Sequence, residues 1–70
     1  MVEIDVRGLS CPIPVVRTKK AIEEYPNEVI TVLTDSAVSK ENVSRLAQSM
    51  GYSVQVDQVS DEYHLKLSNK

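Results

Sequence analysis

A lone cysteine in a chain of 70 residues removes the two devices that small domains most often rely on. It cannot close an internal disulfide, and with a single histidine it supplies no ligand set for a structural zinc. A chain this short buries only about 60% of the surface that its unfolded form exposes. The fold must therefore rest on an economical apolar core, and a hydrophobic content of 41%, rich in Val, Ile and Leu, can supply one. We read residues 1–70 as a single domain. A net charge of −2 provides no basic field for non-specific nucleic-acid binding. No run approaches the length of a membrane span, and Met1-Val2-Glu3-Ile4-Asp5 is not a signal peptide. A free thiol without an export signal fits the reducing cytoplasm.

The core has to come from patterning. Val2-Glu3-Ile4-Asp5-Val6-Arg7 alternates apolar and charged residues, the period of a half-buried strand with Val2, Ile4 and Val6 inward. Gly8-Leu9-Ser10 breaks it. A helix follows Cys11-Pro12-Ile13-Pro14 and runs to about Tyr25, with Val15, Thr18, Ala21, Ile22 and Tyr25 as its apolar stripe and Pro26-Asn27 as its stop. Val29-Ile30-Thr31-Val32-Leu33 reads as a central strand. After Thr34-Asp35-Ser36, a second helix is expected to start near Ser39 as N-cap, with Val38 and Val43 at the spacing of a hydrophobic staple. Its stripe is Val43, Leu46, Ala47 and Met50, and Gly51 stands at the helix C′ position. Tyr52, Val54 and Val56 mark a third strand, and Tyr63, Leu65 and Leu67 a fourth, joined as a hairpin through 58–62.

The order is β-α-β-α-β-β. Right-handed crossovers then put both helices on one face of a mixed four-stranded sheet, an α/β two-layer sandwich. If the first two strands are parallel, the loops that follow them leave the same edge of the sheet. Cys11 and the Asp35-Ser36 loop should then be neighbours.

Cys11 is expected at the N-cap of the first helix, with Pro12 at N1 and Pro14 at N3. The positive end of the helix favours a thiolate. The prolines offer no N–H, which leaves Ile13 as the one early donor and makes the activation modest. A lone cysteine is often simply a buried small hydrophobe, but the glycine before it and the prolines after it are turn signals, and turns are exposed. Without a second cysteine no dithiol cycle within the chain is possible. His64, on the polar side of the fourth strand, should point away from Cys11, which disfavours a Cys–His dyad.

The segment Asp5-Val6-Arg7-Gly8-Leu9-Ser10-Cys11-Pro12-Ile13-Pro14-Val15, followed by Lys19-Lys20-Ala21-Ile22, resembles the TusA/SirA-like sulfur-carrier family, with its Gly-Leu-x-Cys-Pro-x-Pro loop between a strand and a helix. Ala37-Val38-Ser39-Lys40-Glu41-Asn42-Val43 through Gly51-Tyr52 is similar to the amino-terminal domain of the YedF-type branch, which is associated with selenium metabolism. The resemblance implies that Cys11 carries a persulfide, loaded by a pyridoxal-phosphate cysteine desulfurase or a rhodanese-like enzyme and passed to an acceptor protein. The carrier itself then needs no cofactor and no metal. By position, Pro12 and Pro14 match the loop prolines, Gly8 the approach turn, and Asp35 an acidic position that some members use in partner contact. YedF-type proteins continue into a DsrE-like domain, so this chain is either free-standing or a piece of a longer protein.

Arg17, Lys19, Lys20, Lys40 and Arg45 form a solvated helix face or a docking surface, either for an acidic donor or for the phosphates of a transfer RNA. Asp35 near a thiolate would raise the thiol pKa, so a loop-ordering or partner-contact role suits it better than activation. The competing function is a binding or regulatory module in which Cys11 is a redox-sensitive contact.

Overall fold

The computed structural model describes residues 2–10 and 12–69. The elements run β1 (Val2–Asp5), α1 (Ile13–Glu24), β2 (Ile30–Thr34), α2 (Ala37–Ser49), β3 (Tyr52–Val59) and β4 (Glu62–Asn69). The sheet order is β1-β2-β4-β3. β1 pairs with β2 in parallel, and β4 pairs antiparallel with both β2 and β3. The helices pack on each other and on the sheet from one side. This is the mixed-sheet α/β sandwich that the element order predicts.

Alternation decides which residues meet. Val6, Ile30, Val32, Leu65 and Leu67 are fully buried under the helices, which contribute Ala21, Ile22, Val43 and Ala47. The intervening positions Glu3, Asp5, His64, Lys66 and Asp57 fall on the opposite, open face. β2 is central as expected, with Ile30, Val32 and Thr34 buried and Thr31 and Leu33 half-buried.

Both helix starts differ from the spacing-based expectation. The first backbone bond of α1 runs from the Val16 N–H to the Pro12 carbonyl at 3.0 Å. Pro12 is therefore the N-cap and Pro14 stands at N2, in place of N1 and N3. Pro14 is buried, and its carbonyl accepts the Thr18 hydroxyl at 2.8 Å, which satisfies that polar group inside the core. Ser36, not Ser39, caps α2. Its hydroxyl accepts the Ser39 N–H at 3.3 Å, and the Ser39 side chain is buried. This earlier start places Val38 within the first turn, where it is 63% exposed and staples nothing.

The far ends differ as well. Tyr25 leaves helical geometry as the C-cap (φ −128°, ψ 65°) and is exposed, not part of the core stripe. Met50 is likewise the C-cap of α2 and exposed, while Gly51 takes the left-handed φ of +85° expected at C′. Burial fades along the edge strand β3, so Val56, on the same face as the buried Tyr52, is exposed. The β3–β4 ladder runs on to Val59 and Glu62, leaving only Ser60-Asp61 as the turn, with Ser60 left-handed at φ 59°. At the other end of the sheet, the Tyr52 hydroxyl and the Asn69 amide both donate to the Pro26 carbonyl, at 3.0 and 2.8 Å.

Leu65→Ala, in the middle of the core, is expected to lower the unfolding free energy by about 2–5 kcal/mol. Val38→Ala should change it by less than about 0.5 kcal/mol. Urea denaturation with an unchanged slope checks both.

Candidate functional site

Parallel pairing makes β1 and β2 finish at one end of the sheet, and the antiparallel β4 brings the β3–β4 turn to that same end, where Thr34 faces Tyr63. One further ladder bond, Val6 N–H to the Leu33 carbonyl at 2.9 Å, extends the pairing past β1. The chain then turns. The Leu9 N–H returns to the Val6 carbonyl at 3.2 Å, and Gly8 adopts φ +77°, a conformation that L side chains rarely take. The Gly8 N–H donates to Asp35 Oδ1 at 3.2 Å. The β1–α1 and β2–α2 loops, 27 residues apart in sequence, are thus joined directly.

Cys11 lies outside the described residues. Its flanks are defined. The Ile13 N–H donates to the Ser10 carbonyl at 3.0 Å, so the amide expected to be the early donor at this helix end is already engaged. With Pro12 as N-cap, the expectation of Cys11 as N-cap does not hold.

The charges at this end are organised by Arg7, which sequence reasoning passed over. Its guanidinium forks onto the Asp5 carboxylate, Nε to Oδ1 at 2.9 Å and Nη2 to Oδ2 at 2.7 Å, while its backbone N–H also reaches Oδ1 at 3.0 Å. Nη1 reaches across the open face to Glu62 Oε2 at 2.9 Å. Glu62 Oε1 lies 3.5 Å from His64 Nε2. These bonds to Arg7 hold the Asp5 carboxyl well down, at about 2, and push the Arg7 guanidinium above its ordinary value. Period-2 alternation could have paired Asp5 with Arg7. Glu62, 55 residues away from Arg7, needed the sheet order.

Of the residues singled out in sequence, Gly8 and Asp35 are brought together, and both are exposed along with Pro12. Pro14 is inside the core and serves the start of α1, with no surface to present. His64 sits on the open face, away from the helices, as expected. Arg17 and Lys20 line an open groove between α1 and the free edge of β1, together with Val2, Ile4, Val16 and Tyr25. Lys40 instead holds its Nζ 4.9 Å from the centre of the Tyr63 ring, a cation–π contact. Among the described residues no cluster of His, Cys, Asp and Glu is placed to hold a metal ion, and no helix is long and apolar enough to cross a membrane.

Asp5 binds its proton more weakly folded than unfolded, so its contribution to stability is present above the ordinary carboxylate value of 3.8 and is lost as pH falls towards 2. Carboxyl NMR titration should place Asp5 near 2 in the native protein and return it towards 3.8 in Arg7→Ala. A Cβ on Gly8 would meet nothing within 4 Å, so Gly8→Ala tests the backbone alone. Thermal unfolding should report a loss of about 1–2 kcal/mol, the cost of a left-handed φ for an L residue.

Comparison with known proteins agrees with this geometry. The family profile of sulfurtransferase TusA matches residues 2–68. A protein of Methanocaldococcus jannaschii, named as a candidate sulfur carrier, is 44% identical over 55 residues, 77% of this chain and 73% of the relative. One of Thermotoga maritima, named likewise, is 38% identical over 52 residues, 73% of this chain and 66% of the relative. The crystal structure of a SirA-like protein from Desulfitobacterium hafniense superposes with a TM-score of 0.88 at 36% identity, covering 96% of this chain and 95% of that one. Matched by that profile along nearly its whole length, and by relatives of 36–44% identity with the same fold, the chain belongs to the TusA sulfurtransferase family.

Proposed function

We infer that this protein is a sulfur carrier that accepts and donates sulfur as a persulfide on Cys11. The observation that supports it most directly is the position of the Cys-Pro-x-Pro segment in a chain of the TusA family: it follows Gly8, whose amide is hydrogen-bonded to Asp35, and runs into the first turn of α1, with Pro12 as N-cap and Pro14 at N2. Relatives named as candidate sulfur carriers support the same reading.

The transfer is a thiol–persulfide exchange. The Cys11 thiolate attacks the terminal sulfur of a donor persulfide, the donor's sulfur–sulfur bond breaks, and the donor thiolate leaves with the bonding electron pair. Cys11 then holds the sulfur, and an acceptor thiolate removes it by the same step. No net oxidation occurs, so no redox cofactor is needed. A cysteine desulfurase or a rhodanese-like enzyme is a fitting donor, because each bears a persulfide.

The assistance available within the described residues is limited. The Ile13 amide is engaged by Ser10, and Pro12 and Pro14 have no N–H. The exposed Asp35 carboxylate is engaged with Gly8, which suits loop ordering and partner contact more than thiol activation. On this reading the chain supplies a shaped, stiff loop, and its partners supply much of the acid–base help. Selenium follows the same path from a selenopersulfide donor.

Incubation with a cysteine desulfurase and cysteine is expected to add the mass of one sulfur atom to the native protein and none to Cys11→Ser. Absence of added mass with desulfurase and rhodanese-like donors alike would overturn the reading. If Cys11→Ser retains full affinity for a captured partner while the native protein takes up no sulfur, the chain is a binding module. A parallel run with a selenium donor separates sulfur from selenium transfer.

A further inference from the structure

The Arg7 network is unusual for where it is spent. All three of its side chains are substantially exposed, with Arg7 at 41%, Asp5 at 51% and Glu62 at 35%. Ion pairs in water contribute little to stability, yet here one guanidinium is committed to two carboxylates through well-aligned charge-assisted bonds. Such a fork fixes geometry more than it lowers energy. Asp5 is the last residue of β1 and Gly8 is left-handed, so Arg7 stands where the strand gives way to the loop that carries Cys11.

The partners of this segment come from different elements. Asp5 belongs to its own strand. Glu62 belongs to β4, which neighbours β2 and not β1, so the guanidinium reaches past the end of β2. Asp35, from the β2–α2 loop, takes the next amide, that of Gly8. The start of the Cys11 loop is therefore tied, within two residues, to β1, to β4 and to the β2–α2 loop.

We propose that Arg7 is a positioning residue for sulfur transfer: by bridging Asp5 and Glu62 it fixes the direction in which the Cys11 loop leaves the sheet. This rests on the sulfur-carrier reading. The reason for expecting a kinetic effect is geometric. Exchange between two proteins needs the attacking sulfur aligned with the donor's sulfur–sulfur bond, and small misplacements of a reacting group are costly in rate. A small free reagent meets no such demand, since it can approach the thiol from any open direction. Loss of the clamp should therefore separate protein-mediated transfer from simple thiol reactivity.

The test compares the native protein with Arg7→Ala, Arg7→Lys, Glu62→Gln and the double variant R7A/E62Q. Sulfur uptake from a cysteine desulfurase with cysteine gives kcat/KM, iodoacetamide gives the intrinsic reactivity of Cys11, and thermal unfolding reports the fold. Arg7→Ala should lower kcat/KM for uptake by about tenfold, with the alkylation rate nearly unchanged and Tm lowered only by the modest contribution of the lost Asp5 pair. Arg7→Lys, which keeps the charge without the fork, should fall between the two. Glu62→Gln leaves the Asp5 fork in place, so it should lose part of the rate and remain informative even if Arg7→Ala fails to fold. The double variant should be no slower than Arg7→Ala alone, because the two substitutions remove the same bridge. Native-like uptake by Arg7→Ala, or by Glu62→Gln where Arg7→Ala does not fold, overturns the proposal while leaving the carrier reading intact. So does a fall in alkylation that matches the fall in uptake. A native protein that takes up no sulfur overturns the carrier reading, and this proposal with it.

Discussion

The parallel register of β1 on β2 is the constraint from which the arrangement of this molecule follows. A parallel pair needs a long crossover, and α1 is that crossover. Right-handedness then assigns the helix to one face, and α2 follows it to the same face. Because the two strands run together, their trailing loops leave together, which places the Gly8 amide within reach of the Asp35 carboxylate. Antiparallel pairing of the same strands would have sent these loops to opposite ends of the sheet.

Two kinds of interaction divide the work. The helix-facing layer is buried and apolar, and its polar members are satisfied locally, as when the Thr18 hydroxyl donates to the Pro14 carbonyl one turn earlier. The open face carries charge: Asp5, Arg7, Glu62 and His64 lie on or beside it in a connected row. The first layer supplies cohesion through burial of apolar surface. The second adds little cohesion because water competes for each of its members, and its effect is on direction. The loop of interest leaves from the junction between them, with Val6 fully buried and Arg7 exposed in consecutive positions.

Element type and order were legible in the sequence because the periods are clean. Val2, Ile4 and Val6 cannot be mistaken for a helical stripe, nor Val43 and Ala47 for a strand. That the loops after the first and second strands meet was legible too, on the condition that those strands pair in parallel, and the Gly8–Asp35 bond shows them joined. Boundaries were not. Ser36 and Ser39 are equally good caps by residue type, and what separates them is that Ser39 has to be buried against the core. Tyr25 and Met50 look like stripe residues until the helix ends one position too early to bury them. Arg7 was invisible as a bridge because its second partner is 55 residues away and belongs to a strand that reaches it only by inserting next to β2.

That insertion has a consequence for how the molecule comes to exist. β4 lies between β2 and β3, although it is the last strand in chain order. Before residues 62–69 arrive, β2 has a partner on one side only, β3 has no ladder at all, and Val32 and Ile30 have no Leu65 and Leu67 beside them. β4 thus closes the sheet: its hairpin with β3 is local, but its pairing with β2 is long-range and slow relative to local helix formation. During synthesis the part of the core that Leu65 and Leu67 fill stays open until this stretch clears the ribosome, although α1, α2 and β2 can already pack on one another.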